Sequence, residues 1–173
     1  MSQYRIIIAG GRHFSDYVTF QLFVQGCFEK YGIQKDQAEI ISGHCQGVDQ
    51  MGERYAKENG IPCSIFPAQW SKYGRSAGFR RNVGMVNYAS EAEHPLVIAF
   101  WNGQSHGTGF TIQKAREKGI QVEEYLYQSP EAGVKTSVAQ VEDKLCKRDE
   151  ANKTISASPE ESLPHICRKE EEK

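Results

Sequence analysis

Apolar and polar positions along this chain alternate in blocks whose spacing predicts strands and helices in turn, through five strands. Residues 4–9 (YRIIIA) form a continuous apolar run ending in Gly10-Gly11, the pattern of a parallel strand buried on both faces. A helix follows to about residue 31, capped by Ser15 or Asp16, with Phe20, Phe23, Val24, Cys27 and Phe28 on one face. Residues 39–42 (EIIS) read as a second strand, then a glycine-rich turn and a helix from about Val48 to Asn59. Residues 62–66 form a third strand, and the spacing of Phe79, Val83 and Val86 predicts a helix over 79–89. Residues 95–100 (PLVIAF) make the most hydrophobic strand, followed by a glycine-rich loop, a helix to about residue 118 and a last strand over 121–126. Regular alternation of this kind predicts a Rossmann-like α/β fold, a doubly wound parallel sheet of about five strands between two helical layers.

The pattern stops after Tyr127. From residue 129 onward aromatic and clustered apolar residues nearly vanish, and the chain ends in the charged run 168–173 (RKEEEK). This predicts a domain over residues 1–127 and a polar tail over 128–173, largely disordered because it has too little apolar surface to offset its ordering entropy. A short helix over residues 137–147, carrying Val138, Val141 and Leu145, is the one exception expected there.

Composition narrows the setting. A formal net charge of −1 requires no polyanionic partner. No apolar stretch approaches the ~18 residues of a membrane span, and the N-terminus lacks a secretory pattern, so a soluble, cytoplasmic protein is expected. The five cysteines (Cys27, Cys45, Cys63, Cys146 and Cys167) are scattered without CxxC spacing, which fits reduced thiols better than a disulfide framework or a zinc ribbon.

In doubly wound sheets ligands sit beyond the carboxyl ends of the strands, and three loops there stand out. They are residues 10–16 (GGRHFSD), 42–49 (SGHCQGVD) and 102–109 (NGQSHGTG). Each couples glycines to the start of a helix, where unpaired N–H groups and partial positive charge suit a phosphate. A single such loop is as readily a plain tight turn; three on one edge argue for a pocket. Between the third and fourth strands, residues 69–82 interleave Lys72, Arg75, Arg80 and Arg81 with Trp70 and Tyr73. A guanidinium at Arg81 can clamp phosphate bidentately, and Trp70 or Tyr73 can stack on a base; packed aromatics and solvated arginines are the plainer alternative. His13, His44 and His106 each fall in a different strand-end loop, with Cys45 beside His44. Their spacing supports no metal site, and they read as ligand-contacting or general-base groups.

These segments carry a family resemblance. GGRHFSD, SGHCQGVD, the stretch with Pro67, Ala68, Trp70, Tyr73, Gly74, Ala77, Gly78, Arg81, Asn82 and Met85, then AFWNG and GT, resemble the YspA-type, cpYpsA-related branch of the SLOG superfamily. That superfamily also holds the cytokinin-activating LOG phosphoribohydrolases and the DprA recombination mediators. The resemblance covers residues 4–126, in order. It implies a Rossmann-like domain with a pocket for nucleotides or nucleotide-derived signals, in ligand sensors or nucleotide-processing proteins often encoded in conflict systems and on phages. It also implies self-association as a homo-oligomer; no cofactor is expected.

Carried over by motif, Gly10, Gly11, Arg12 and His13 wall one side of the pocket, with Asp16 bracing the loop. Ser42, Gly43, Gly47 and Asp49 match the GGxxGxD-like signature of a second side, where His44 also nears the ligand, Gly107 and Thr108 match the phosphate-binding GT, and Arg81, Asn82 and Met85 resemble the RKxxM element of LOG enzymes. Trp70 completes the expected ligand contacts. The catalytic Glu of the LOG motif PGGxGTxxE falls on Thr111, the Lys of RKxxM is Asn82, and the second glycine of SGG is His44. Without that Glu, glycosidic cleavage lacks its best-placed catalyst. Asp16 and Asp49 are the remaining acids, and Asp49 reads first as an acceptor for loop N–H groups.

The reading that results is a binder of a nucleotide-type small molecule, such as an ADP-ribose-like or cyclic nucleotide, acting as a sensor or sequestering protein. The alternative is a nucleotide hydrolase acting on a glycosidic or phosphoester bond. A DprA-like single-stranded nucleic-acid binder ranks third, since the near-neutral charge and acidic tail oppose it.

Overall fold

A computed structural model of the chain describes residues 2–128. The expected polar tail from residue 129 and its short helix over 137–147 lie outside the described residues. Five strands, β1 (Tyr4–Gly10), β2 (Ala38–Ser42), β3 (Cys63–Ile65), β4 (His94–Trp101) and β5 (Gln121–Leu126), pair in parallel in the order β3-β2-β1-β4-β5. The helices are α1 (Tyr17–Tyr31), α2 (Val48–Asn59), α3 (Trp70–Tyr73), α4 (Ala77–Ala89) and α5 (His106–Glu117).

The two-residue period of a strand divides the core. Ile6, Ile8, Ile40, Leu96, Ile98 and Phe100 face Phe20, Val24 and Phe28 of α1 and Val48 and Tyr55 of α2. Their neighbours Ile7, Ala9, Ile41, Val97 and Ala99 face Met85 and Val86 of α4 and Ile112 and Ala115 of α5. This is the three-layer Rossmann-like sandwich that the alternating pattern predicts. Phe100 anchors the first layer: it is fully buried, with the rings of Phe14, Phe20, Phe23 and Tyr125 centred 5.1–5.4 Å away. Burying such a side chain contributes about 1.5–3 kcal/mol.

Local signals fix the ends of α1. Asp16, rather than Ser15, is its cap and accepts the Thr19 N–H at 3.0 Å. Gly32 closes the helix in the left-handed conformation, with φ of 64°.

The sheet's edge and α4 differ from the sequence reading. β3 has only three residues, as befits an edge strand with one paired side. Residues 70–76 form the short α3 and a 3₁₀ turn rather than an open loop. α4 begins at Ala77 and buries Ala77, Asn82, Met85, Val86 and Ala89, whereas Phe79 stays exposed. Phe79 instead packs edge-to-face on Phe110 of α5, their ring centres 4.9 Å apart at the outer edge of the two helices. The spacing of Phe79, Val83 and Val86 marks the helix, but of the three only Val86 is buried.

Helices α1 and α2 cover one face and α4 and α5 the other, so the winding reverses between β1 and β4. The loops leaving these two strands diverge there and open a crevice. Among the described residues no helix is long and apolar enough to cross a membrane.

Candidate functional site

A cavity of about 430 Å³ lies in this crevice, within the size range of small-molecule sites. The β1–α1 loop supplies Gly10, Gly11, Arg12 and His13, and the segment after β2 supplies Cys45 and Asp49. Arg81, Asn82 and Met85 of α4 form the floor. Gly107, Thr108 and Thr111 of α5, with Asn102, Gln104 and Ser105 before it, form the far wall, and Tyr127 closes one end.

That far wall is a helix start without a side-chain cap. Ser105 occupies the cap position of α5 but makes no capping bond; its hydroxyl lies 3.1 Å from that of Thr108. The loop before it is held by Asn102, whose Oδ1 accepts the N–H groups of Gln104 (3.1 Å) and Ser105 (2.9 Å). The indole of Trp101 donates to the Ser105 carbonyl at 3.1 Å. The first turn of α5 is thereby fixed with its N–H groups available to an anion. Asn82 ties this turn to α4 by donating to the Gly107 carbonyl at 3.2 Å.

Arg81 is the principal charge of the floor. Its side chain is 10% exposed, donates to the Gly43 carbonyl, approaches the Cys45 sulfur at 3.3 Å and stands 3.8 Å from Asp49 Oδ2. Its Nε is buried without a partner. Such an atom carries a desolvation penalty. Gly43 permits this arrangement, because a Cβ there would run into the guanidinium.

Asp49 accepts the Cys45 N–H at 3.2 Å and so braces the loop after β2. Burial is the strongest influence on it and pushes its carboxyl up to about 6, against the opposing pull of the Cys45 N–H and Arg81. The folded chain therefore holds a proton that the unfolded chain has released between the ordinary value of 3.8 and about 6. Asp49 favours the folded state at low pH, and this contribution is lost as pH rises through about 6. Asp49→Asn is expected to gain on the wild type by about 2–3 kcal/mol in urea unfolding between pH 4 and pH 7. An equal stability difference at both pH values would contradict it.

Several residues expected in the site lie elsewhere. Ser42 is fully buried; its hydroxyl donates to Glu53 at 2.6 Å and accepts the His44 N–H at 3.0 Å. Gly43 meets Arg81 rather than the cavity wall, and His44 turns outward, its Nδ1 3.0 Å from Glu53. Trp70 is 55% exposed and lies against Gly78. Of the loop histidines only His13 lines the cavity. Among the described residues no group of three or more His, Cys, Asp or Glu is placed to hold a metal ion. Conversely, Asn102, Gln104, Ser105 and Tyr127 were not among the expected ligand contacts. The Asn-Gly pair after the fourth strand signals the turn that Asn102 holds. Tyr127 gives no sequence signal; its hydroxyl sits where a Cβ on Gly11 would be.

A parallel sheet in this order, with a cavity at its reversal point, defines a Rossmann-like α/β protein. Residues 4–73 match the model of the YspA, cpYpsA-related SLOG family. The matched segment holds the first two loops; Arg81, Asn82, Gly107 and Thr108 join the site through the fold. The Gene 61 protein of Mycobacterium phage D29 is 26% identical over 125 residues, which cover 68% of this chain and 93% of that protein. Among solved structures, DNA processing protein A (DprA) from Streptococcus pneumoniae is similar, with a TM-score of 0.54 and 15% identity over 83% of this chain. The match spans 56% of the DprA chain, and at this identity the likeness concerns the fold alone.

Proposed function

We propose that the chain binds a nucleotide or nucleotide-derived ligand in the cavity between β1 and β4, as a sensor or sequestering protein. The phosphate lies against the first turn of α5 and the Arg81 guanidinium. The observation that carries this reading is Arg81 itself, a nearly buried cation lining a cavity walled by an uncapped helix start. Both features suit an anion, and an enclosed Arg beside a helix N-terminus binds phosphate more strongly than either alone.

Binding without turnover is favoured by Thr111. Where the LOG enzymes carry their catalytic Glu, this chain has a hydroxyl already engaged with the Gly107 carbonyl at 3.1 Å. Isothermal titration of the full chain with ADP-ribose, cyclic AMP and AMP is expected to show binding that weakens with added inorganic phosphate. No heat across the panel would reject the proposal.

Nucleotide hydrolysis is the second reading, favoured by Asp49, an acid titrating near pH 6 on the cavity wall. It requires product release from the same ligands, abolished in Asp49→Asn. Binding without product separates the two.

A further inference from the structure

Arg81 borders a second cavity. Ala77, Arg80, Arg81 and Gly84 follow the 3- and 4-residue spacing of one helix face and line a space of about 380 Å³ on the other side of that arginine. Opposite them stand Ile65, Phe66 and Pro67, from the chain leaving β3, and Tyr73 of α3. The helix contributes small residues at both ends of its stripe, and a Cβ on Gly84 would meet nothing within 4 Å. The wall it faces carries the apolar Ile65, Phe66 and Pro67, with the Tyr73 ring flanked by cations: the Arg80 guanidinium lies 4.8 Å from its centroid and the Lys72 ammonium 5.0 Å.

The two cavities offer different chemistry to the two ends of one molecule. The cavity at the start of α5 presents helix N–H groups and a guanidinium, the complement of a phosphate. The cavity beside β3 presents an aromatic face, aliphatic side chains and the Gln69 amide, which can both donate to and accept from a ring edge. Arg81 is common to both. Trp70, the other aromatic of this segment, lines neither.

We propose that the cavity between β3 and α4 is a base subsite, in which the heteroaromatic base of a nucleotide stacks on Tyr73 against the Ile65–Phe66–Pro67 wall. The phosphate of the same molecule lies across Arg81 at the start of α5. This rests on the nucleotide reading above and adds to it the place of the base, in a cavity of its own beyond Arg81. A sugar phosphate alone fills only half of the site. Stacking on an aromatic face is tolerant of base identity, and a guanidinium flanking the ring reinforces it.

The experiment titrates the full chain with two probes, AMP and ribose 5-phosphate, which share the phosphate and differ by the base. The wild type is expected to bind AMP roughly tenfold or more tightly than ribose 5-phosphate. Tyr73→Ala removes the stacking face. Gly84→Leu fills the cavity from a helix-interior position where leucine is the better helix former, so the fold is retained. Both variants are expected to weaken AMP about tenfold and to leave ribose 5-phosphate within about twofold. Equal binding of the two probes by the wild type overturns the base subsite while leaving the phosphate site standing. So does AMP binding that neither variant changes, or an equal loss of both probes in Gly84→Leu. Binding of neither probe by the wild type overturns both proposals together.

Discussion

Replacing Arg81 by alanine is expected to weaken nucleotide binding by about 2–5 kcal/mol, from roughly thirty-fold to several-thousand-fold. Arg12 and Arg81 both line the cavity, and Arg81 is nearly buried, so solvent screens its attraction to an anion little. Lysine restores the charge without the planar fork, so Arg81→Lys should recover only part of the loss. Truncation also leaves Asp49 buried without its cation. The double variant Arg81→Ala with Asp49→Asn removes both charges and separates binding from folding. If its urea midpoint matches the wild type and its affinity is also unchanged, Arg81 is not the phosphate anchor.

Gly47→Ala is the substitution expected to damage the fold of the site most. Gly47 precedes α2 with φ of 86° and ψ of −126°, a conformation that side-chain-bearing residues avoid. A Cβ there would stand 2.5 Å from the Gly11 carbonyl oxygen and 2.7 Å from that of Arg12. The β1–α1 loop is pressed against the start of α2 at this point, so strain and collision act together. A loss of about 3 kcal/mol is expected in urea unfolding. Gly60→Ala is the control: its φ of 66° is also left-handed, but a Cβ meets nothing within 4 Å, and about 1 kcal/mol should be lost. Equal losses at the two positions would show that backbone conformation alone, and not the contact between loops, governs Gly47.

The strands and their order of alternation with helices were legible because they depend on local patterns. The apolar runs at residues 4–9 and 95–100 have few ways to be satisfied except on both faces of a parallel sheet. The glycines after β1 and before α2 and α5 marked the strand ends, where the cavity lies. Asp16 and Gly32 bounded α1 through bonds made within a few residues of themselves.

What only the tertiary structure decided involves residues far apart in the chain. Arg81 was recognisable as a candidate, yet its partner Gly43 lies 38 residues away, and only packing of α4 across the sheet brings the two together. Phe79 and Trp70 stay on the surface, while Tyr73 comes to line a cavity. Tyr127 reaches Gly11 because β5 runs beside β4 and ends level with the β1–α1 loop. Periodicity determines which side of an element is apolar. Which side chains meet in a cavity is set by how elements cross, and that is a property of the assembled layers.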